Sequence, residues 1–160
     1  MKRSYKLIIS LALPQIVGFA GAFFTTPSVD GWYSTLVKPE LNPPSWIFAP
    51  VWTLLYLMMG FAFYLVWSNH SGVLENLRIK KLGMISWWVQ LCLNGVWSIF
   101  FFSLHNPALA LVDIALLWVA IVVTIKLFYK LSRTAAWLLL PYLLWVSFAT
   151  YLNYSIWALN

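Results

Sequence analysis

Charged side chains are scarce in this chain. Asp, Glu, Lys and Arg make up 9% of its 160 residues, whereas 62% of the residues are hydrophobic. A soluble domain carries about 25% charged residues, and a surface with so few charges would not stay dissolved in water. The composition therefore predicts one domain, residues 1–160, whose solvent is the lipid bilayer.

Cysteine and histidine are also rare. The single cysteine, Cys92, lies in an apolar run and cannot form an internal disulfide. Together with His70 and His105 it cannot supply the four ligands of a structural zinc site. No carboxylate pair, Ser-His-Asp set or Gly-rich phosphate loop is visible, so no catalytic residue is assigned. We therefore expect no metal and no obligatory cofactor.

Long apolar stretches dominate what is present. Crossing about 30 Å of hydrocarbon takes roughly 20 helical residues, and five stretches are that long. They show no period-two alternation, which favours helices over barrel strands. The predicted fold is all-α, an integral membrane bundle of five transmembrane helices with a folded first loop. The predicted helices cover residues 7–26, 46–67, 82–104, 107–129 and 135–159. Residues 27–45 are predicted to form a lid over one end of the bundle, with an interfacial aromatic belt as an equal alternative.

The basic residues are distributed unevenly along the chain. Nine of the ten Lys and Arg precede the first stretch or lie around the second and fourth connections, and only Lys38 lies on the opposite side. The positive-inside rule then predicts a cytoplasmic N-terminus and an outer C-terminus. This topology explains the net charge of +6 without a nucleic-acid partner. Two alternatives remain open: a cleavable signal peptide at the start, and basic loops that dock an acidic protein or anionic lipid.

Three of the predicted helices carry aromatic and amide side chains at helical spacing. The faces comprise Trp52, Tyr56, Gly60 and Tyr64; Gln90, Asn94, Trp97 and Phe101; and Tyr142, Trp145, Ala149 and Asn153. Each face alone is typical of helix packing. Together, indoles beside small residues and a few amides predict a pocket for a flat, apolar ligand. Asp113, the one acidic residue inside a predicted helix, is either a structural hydrogen-bonding group or part of a proton relay.

The motifs resemble those of the translocator protein / tryptophan-rich sensory protein (TspO/MBR) family, formerly the peripheral benzodiazepine receptors. They include Trp32-Tyr33, Lys38-Pro39, Pro43-Pro44-Ser45-Trp46, Pro50-Val51-Trp52, Leu93-Asn94, Trp97-Ser98, Ala110-Leu111-Val112-Asp113 and Leu152-Asn153-Tyr154. The resemblance covers essentially the whole chain. It implies five helices around a ligand pocket, closed by the first loop, usually in a homodimer. It also implies binding of porphyrins, including protoporphyrin and haem, and of isoquinoline and benzodiazepine-type drugs.

The resemblance also assigns roles to particular positions. The implied ligand-binding residues are Trp32, Trp52, Asn94, Trp97, Trp145, Ala149 and Leu152, and the implied lid residues are Lys38, Pro39, Pro43, Pro44 and Trp46. Two positions depart from the animal members. Ala158 stands where their cholesterol-recognition pattern has a basic residue, so cholesterol binding is not expected. Leu109 stands where they carry a pocket Trp.

The function that the resemblance implies is a membrane receptor or carrier for porphyrins, with a role in tetrapyrrole regulation or stress response. Two alternatives are a light-dependent porphyrin-degrading enzyme and a sensory interaction protein without transport. The chain resembles a bacterial member, so the expected location is the bacterial cell membrane.

Overall fold

The computed structural model describes residues 2–69 and 73–160, and His70 lies outside them. Within these residues the structure is helical and contains no strand. The α-helices are α1 (Arg3–Val29), α2 (Trp32–Thr35), α3 (Phe48–Ser68), α4 (Leu74–Ser98), α5 (Pro107–Tyr129), α6 (Arg133–Leu138) and α7 (Leu140–Leu159). A 3₁₀ turn, Ser45–Ile47, leads into α3, and a π-helical turn, Ile99–Ser103, extends α4.

Five continuous helical spans are long and apolar enough to cross a membrane. They are Arg3–Val29, Ser45–Ser68, Leu74–Ser103, Pro107–Tyr129 and Arg133–Leu159. The predicted all-α class with five membrane helices is therefore confirmed. Two short elements, α2 and the 3₁₀ turn, lie between α1 and α3.

Several observed bounds differ from the predicted ones. The first helix covers Arg3–Val29 rather than residues 7–26, so the first three residues of the predicted 27–45 lid belong to α1. The third span begins at Leu74 rather than at residue 82, because a helix can continue beyond the hydrocarbon and carry basic residues there. The fifth span begins at Arg133, after Ser132 caps the backbone N–H of Ala135 at 3.3 Å. It is interrupted at Leu139 because Pro141 has no N–H to continue the helical ladder.

The helices pack in a closed arrangement with one weak seam. Helix α1 contacts α3 and α4, α4 contacts α5, and α5 contacts both α6 and α7. The partner of α3 on its other side is mainly α6, whereas α3 and α7 meet at few points. The bundle is thus tight on the side of α6 and loose between α3 and α7.

One end of the bundle collects most of the positive charge. Lys80 Nζ donates to the carbonyls of Trp67 (2.8 Å) and Asn69 (2.7 Å), which satisfies the open C-terminal end of α3. Lys6 Nζ lies 5.5 Å from the ring centroid of Trp67. The helix directions bring nine of the ten basic residues to this end: Lys2, Arg3, Lys6, Arg78, Lys80, Lys81, Lys126, Lys130 and Arg133. We call it the basic end.

The half of the bundle nearest the basic end contains a buried aromatic and aliphatic core. Trp87 is fully buried, stacks on Phe63 with ring centroids 4.1 Å apart, and donates its Nε1–H to the Met59 carbonyl at 3.2 Å. Near the middle, α1 and α3 touch at the backbone. A Cβ at Gly60 would overlap the Ser10 carbonyl oxygen and lie 3.0 Å from Leu11 Cα. Only glycine permits this approach.

Candidate ligand cavity

A cavity of about 520 Å³ occupies the half of the bundle away from the basic end. Its walls come from the second half of α1, the start of α3, the end of α4 with its π turn, and α7. Helix α5 contributes no lining residue among the described positions. The cavity lies where α3 and α7 diverge, and an edge-to-face contact between Phe48 and Trp145 (5.9 Å) bridges the gap.

Three indole side chains line this cavity. Trp52 packs beside Tyr56 with ring centroids 5.4 Å apart and meets Tyr142 edge-on at 6.2 Å. Trp97 stacks on Phe101 at 5.0 Å. Trp145 carries a buried Nε1–H that has no hydrogen-bond partner in the protein. Aromatic faces are therefore available to a ligand, whereas the Trp145 donor is enclosed by protein atoms.

A chain of buried hydrogen bonds holds the polar part of the cavity wall. The Tyr56 hydroxyl donates to Asn94 Oδ1, and Asn94 Nδ2 donates to the Tyr142 hydroxyl at 3.1 Å. Asn94 is 5% exposed. The chain joins α3, α4 and α7, so it fixes three cavity walls relative to one another.

A second hydrogen-bond pair anchors the indole of Trp97. Its Nε1–H donates to Asn153 Oδ1 at 3.0 Å, and Asn153 Nδ2 donates to the carbonyl of Pro107 at 2.8 Å. Asn153 is buried, so both of its amide atoms are paired away from water. The ring of Trp97 is thereby held in one orientation toward the cavity.

The first helix supplies a wall that the sequence reasoning missed. Gly18, Gly21, Ala22 and Thr25 line the cavity along one side of α1. A Cβ at Gly18 would overlap the ring of Tyr56, so the small residue leaves room for that tyrosine. The available signal was the spacing of small residues at three- and four-residue intervals. It marks a face that comes close to a neighbour, but it does not reveal a cavity.

Six of the seven predicted ligand-binding residues lie together in this cavity: Trp52, Asn94, Trp97, Trp145, Ala149 and Leu152. Trp32 does not lie among the lining residues. Its ring stacks on His105, 4.4 Å away, and meets Phe101 edge-on at 5.7 Å. In the one-turn helix α2, neighbouring side chains point about 100° apart, so Tyr33 faces the cavity when Trp32 faces the connection before α5.

Comparison with known proteins identifies the family of this chain. The TspO/MBR family profile matches residues 10–158. The chain belongs to the TspO/MBR family. It is 45% identical to the tryptophan-rich protein TspO of Archaeoglobus fulgidus over 155 residues, covering 97% of each chain. It is also 45% identical to TspO of Chlorobaculum tepidum over 163 residues, covering 99% of this chain and 98% of the relative. The human translocator protein is 40% identical over 147 residues, with coverage of 92% and 85%.

In this TspO/MBR protein the connection between α1 and α3 is a folded segment. Tyr33 is buried against Phe101 and Phe102, and its hydroxyl donates to Asn42 Oδ1 at 2.9 Å. Burial raises the pKa of the Tyr33 hydroxyl above its ordinary value, and the Asn42 hydrogen bond opposes this only in part. The segment is also tied to the end of the chain, because Val37 exchanges two backbone hydrogen bonds with the Asn160 side chain, at 3.0 and 3.1 Å.

The predicted lid residues of this TspO/MBR protein occupy three kinds of position. Lys38, Pro43 and Pro44 line a smaller cavity of about 430 Å³ beside the main one. Pro39 is half-buried, and its carbonyl closes a turn by accepting from the backbone N–H of Asn42 at 3.0 Å. Trp46 is 73% exposed and covers nothing, so it has the position expected of an interfacial anchor. The segment therefore combines residues that line a cavity with one in an interfacial position, and its role as a lid stays a prediction.

Asp113 lies on α5 and is not among the residues that line the cavity. It is 4% exposed, and its Oδ2 atom has no hydrogen-bond partner in the protein. Among residues 2–69 and 73–160, no three His, Cys, Asp or Glu side chains come together as a metal-binding group. The geometry of the cavity thus offers stacking surfaces and a few oriented amides and hydroxyls.

Proposed function

We propose that this TspO/MBR protein is a membrane receptor or carrier for porphyrins, including protoporphyrin and haem, that acts in tetrapyrrole regulation or stress response. The main observation in support is that Trp52, Trp97 and Trp145 line one cavity together with Asn94. Its volume of about 520 Å³ falls within the roughly 300–1,000 Å³ of small-molecule pockets. The same chemistry would accept isoquinoline and benzodiazepine-type drugs.

Binding would use the aromatic walls for most of the affinity and the polar groups for orientation. A macrocycle stacked on Trp52 and Trp145 removes apolar surface from the cavity. Asn94, in the polar part of the cavity wall, would orient an edge of the macrocycle. On this proposal the basic end faces the cytoplasm, and two copies of the chain associate as a homodimer.

A titration of protoporphyrin into the protein in nanodiscs tests the proposal. We expect Trp52→Phe and Trp145→Phe each to weaken binding about ten-fold, because each removes part of a stacking surface. Trp137→Phe is the matched control, because Trp137 is 63% exposed and lies in α6 at the basic end. Soret absorbance of the porphyrin reports binding without interference from the remaining indoles. Equal affinities of all four proteins would place the ligand elsewhere.

Light-dependent porphyrin degradation is a second candidate function. The observation that favours it is that three oxidisable indoles line the same cavity, so a photoexcited porphyrin bound there would lie against them. Porphyrin loss and product formation are measured in light and in darkness, with dissolved dioxygen as the oxidant. A light-driven rate that exceeds that of porphyrin in empty nanodiscs, and that falls in Trp145→Phe, would support an enzyme. A rate equal to that in empty nanodiscs would exclude it.

A further inference from the structure

The cavity end of the bundle carries a single Lys or Arg side chain. Nine of the ten Lys and Arg lie at the basic end, whereas Lys38 lies in the segment between α1 and α3. Its side chain lines the smaller cavity of about 430 Å³. Its cation therefore lies in a cavity that borders the main one.

The two cavities share part of their walls. Val29, Asp30, Tyr33 and Ser45 line both of them. The two cavities are therefore adjacent, and the smaller one is within reach of a substituent on a ring held in the main one. The main cavity itself has no Lys or Arg among its lining residues, so an acidic substituent would find a basic partner only in the smaller cavity.

The ammonium group of Lys38 contacts an aromatic ring and two carbonyl oxygens but forms no ion pair among the described residues. Its Nζ lies 4.7 Å from the ring centroid of Tyr33, and its contacts with the carbonyls of Ser34 and Leu36 are long, at 3.4 Å each. No ion pair joins it to an acidic residue within the described part of the chain. An ammonium group has three donors, and a half-buried one forms its strongest hydrogen bonds with an anionic oxygen.

Asp30 adds an acidic side chain to the wall that the two cavities share. It follows the last turn of α1 and lines both cavities. A carboxylate of the ligand is repelled near Asp30 and attracted by Lys38. Because Asp30 lines the smaller cavity as well, it opposes a ligand carboxylate there, and Lys38 must outweigh it for the carboxylate to bind.

We infer that the smaller cavity is a carboxylate subsite, in which Lys38 binds the acidic side chains of an amphipathic macrocycle whose ring occupies the main cavity. This inference rests on the proposed function, because it assumes that the main cavity holds the ring. It narrows the ligand class to flat tetrapyrroles that carry carboxylates along one edge. Neutral flat ligands would use the main cavity alone.

The test compares protoporphyrin with its dimethyl ester, in which both carboxylates are capped, in nanodiscs of zwitterionic lipid. We expect Lys38→Gln to weaken protoporphyrin binding about ten-fold and to leave the diester unchanged. Lys38→Arg should retain most of the affinity, because it keeps the charge. Asp30→Asn should tighten protoporphyrin binding about three-fold and leave the diester unchanged. Lys81→Gln, an exposed change at the basic end, is the control and should affect neither ligand.

The possible outcomes separate the two proposals. If Lys38→Gln weakens both ligands equally, Lys38 acts on the shape of the lid and the subsite is refuted. If it weakens neither, the carboxylates lie elsewhere and the subsite is also refuted, while the proposed porphyrin receptor stands. If the unaltered protein binds neither ligand, the proposed function fails, and the subsite fails with it. Binding of the diester by Lys38→Gln also demonstrates that this variant is folded.

Discussion

Replacing Gly60 by alanine should separate two helices that now touch at the backbone. The added Cβ would overlap the Ser10 carbonyl oxygen and lie 3.0 Å from Leu11 Cα and 3.1 Å from the Ser10 carbonyl carbon. Carbon atoms in contact prefer about 3.5–4.0 Å, so α1 and α3 must move apart by roughly 1 Å. No side-chain rotation can relieve the overlap, because all three contacts are with backbone atoms.

The expected cost follows from this geometry. Overpacking of a core costs about 1–3 kcal/mol, and contacts with unyielding backbone belong at the upper end of that range. Alanine regains up to about 1 kcal/mol through its higher helix propensity. The net loss is about 2 kcal/mol, which lowers an apparent melting temperature by about 4–8 °C. Ligand affinity should fall as well, because the same pair of helices forms the cavity wall joined by Gln15 Nε2 and the Thr53 carbonyl (3.1 Å).

Gly95→Ala provides a matched control for this change. Its added Cβ would meet one side-chain atom, Val17 Cγ1, at 3.0 Å, and a methyl group can shift by a few tenths of an ångström. Both variants add the same group within a membrane helix, at Gly60 in α3 and at Gly95 one turn before the end of α4. Thermal unfolding in the same detergent compares them with the unaltered protein. If Gly60→Ala melts at the same temperature as Gly95→Ala, then α1 and α3 are not in backbone contact at this level and the reasoning is wrong.

Two further changes test the polar parts of the structure. Asn94→Leu leaves the Tyr56 and Tyr142 hydroxyls without their shared partner, and should cost about 2–4 kcal/mol by thermal unfolding; full stability would show that the chain of hydrogen bonds contributes nothing. The raised pKa of Tyr33 means that the folded lid holds the phenolic proton more tightly than the unfolded lid. The stability that the protonated Tyr33 hydroxyl gives to the folded lid is present below pH 10.0 and is lost as pH rises through the raised pKa. Limited proteolysis of the lid should therefore accelerate at that pH. Tyr33→Phe should lack that alkaline step, and an identical step in this variant would assign it to another group.

The membrane spans could be predicted because lipid leaves few alternatives. A chain in hydrocarbon must satisfy its backbone internally, so apolar length alone identifies helices. The start of α5 at Pro107 could also be predicted, because Asn106 is a good cap and proline suits the first helical position. In the structure Asn106 Oδ1 accepts from the backbone N–H of Leu109 at 3.0 Å. The early start of α4 could not be predicted from hydropathy, because its first turns are polar.

The cavity was predictable only in part. Trp52, Asn94, Trp97 and Trp145 lie together because helical spacing places chemically distinctive residues on shared faces. The wall from α1 carries glycine, alanine and threonine, whose small size gives no chemical signal of a ligand. The orientation of α2 depends on the packing of Tyr33, which sequence spacing does not specify. The π turn at Ile99–Ser103, closed by the Leu104 N–H to Ile99 carbonyl bond at 2.9 Å, likewise had no marker in the sequence.

The pairing of Val37 with Asn160 couples the cover of the cavity to the last turn of α7. Asn160 Nδ2 also donates to the Ile156 carbonyl at 2.8 Å, so one side chain closes the helix end and holds the lid. Lifting the lid to admit a ligand therefore removes a restraint from that helix end, and the final turn of α7 would fray when the lid opens. Amide hydrogen exchange in the last turn of α7 would then report the frequency of lid opening, and a bound ligand would slow it without touching those amides.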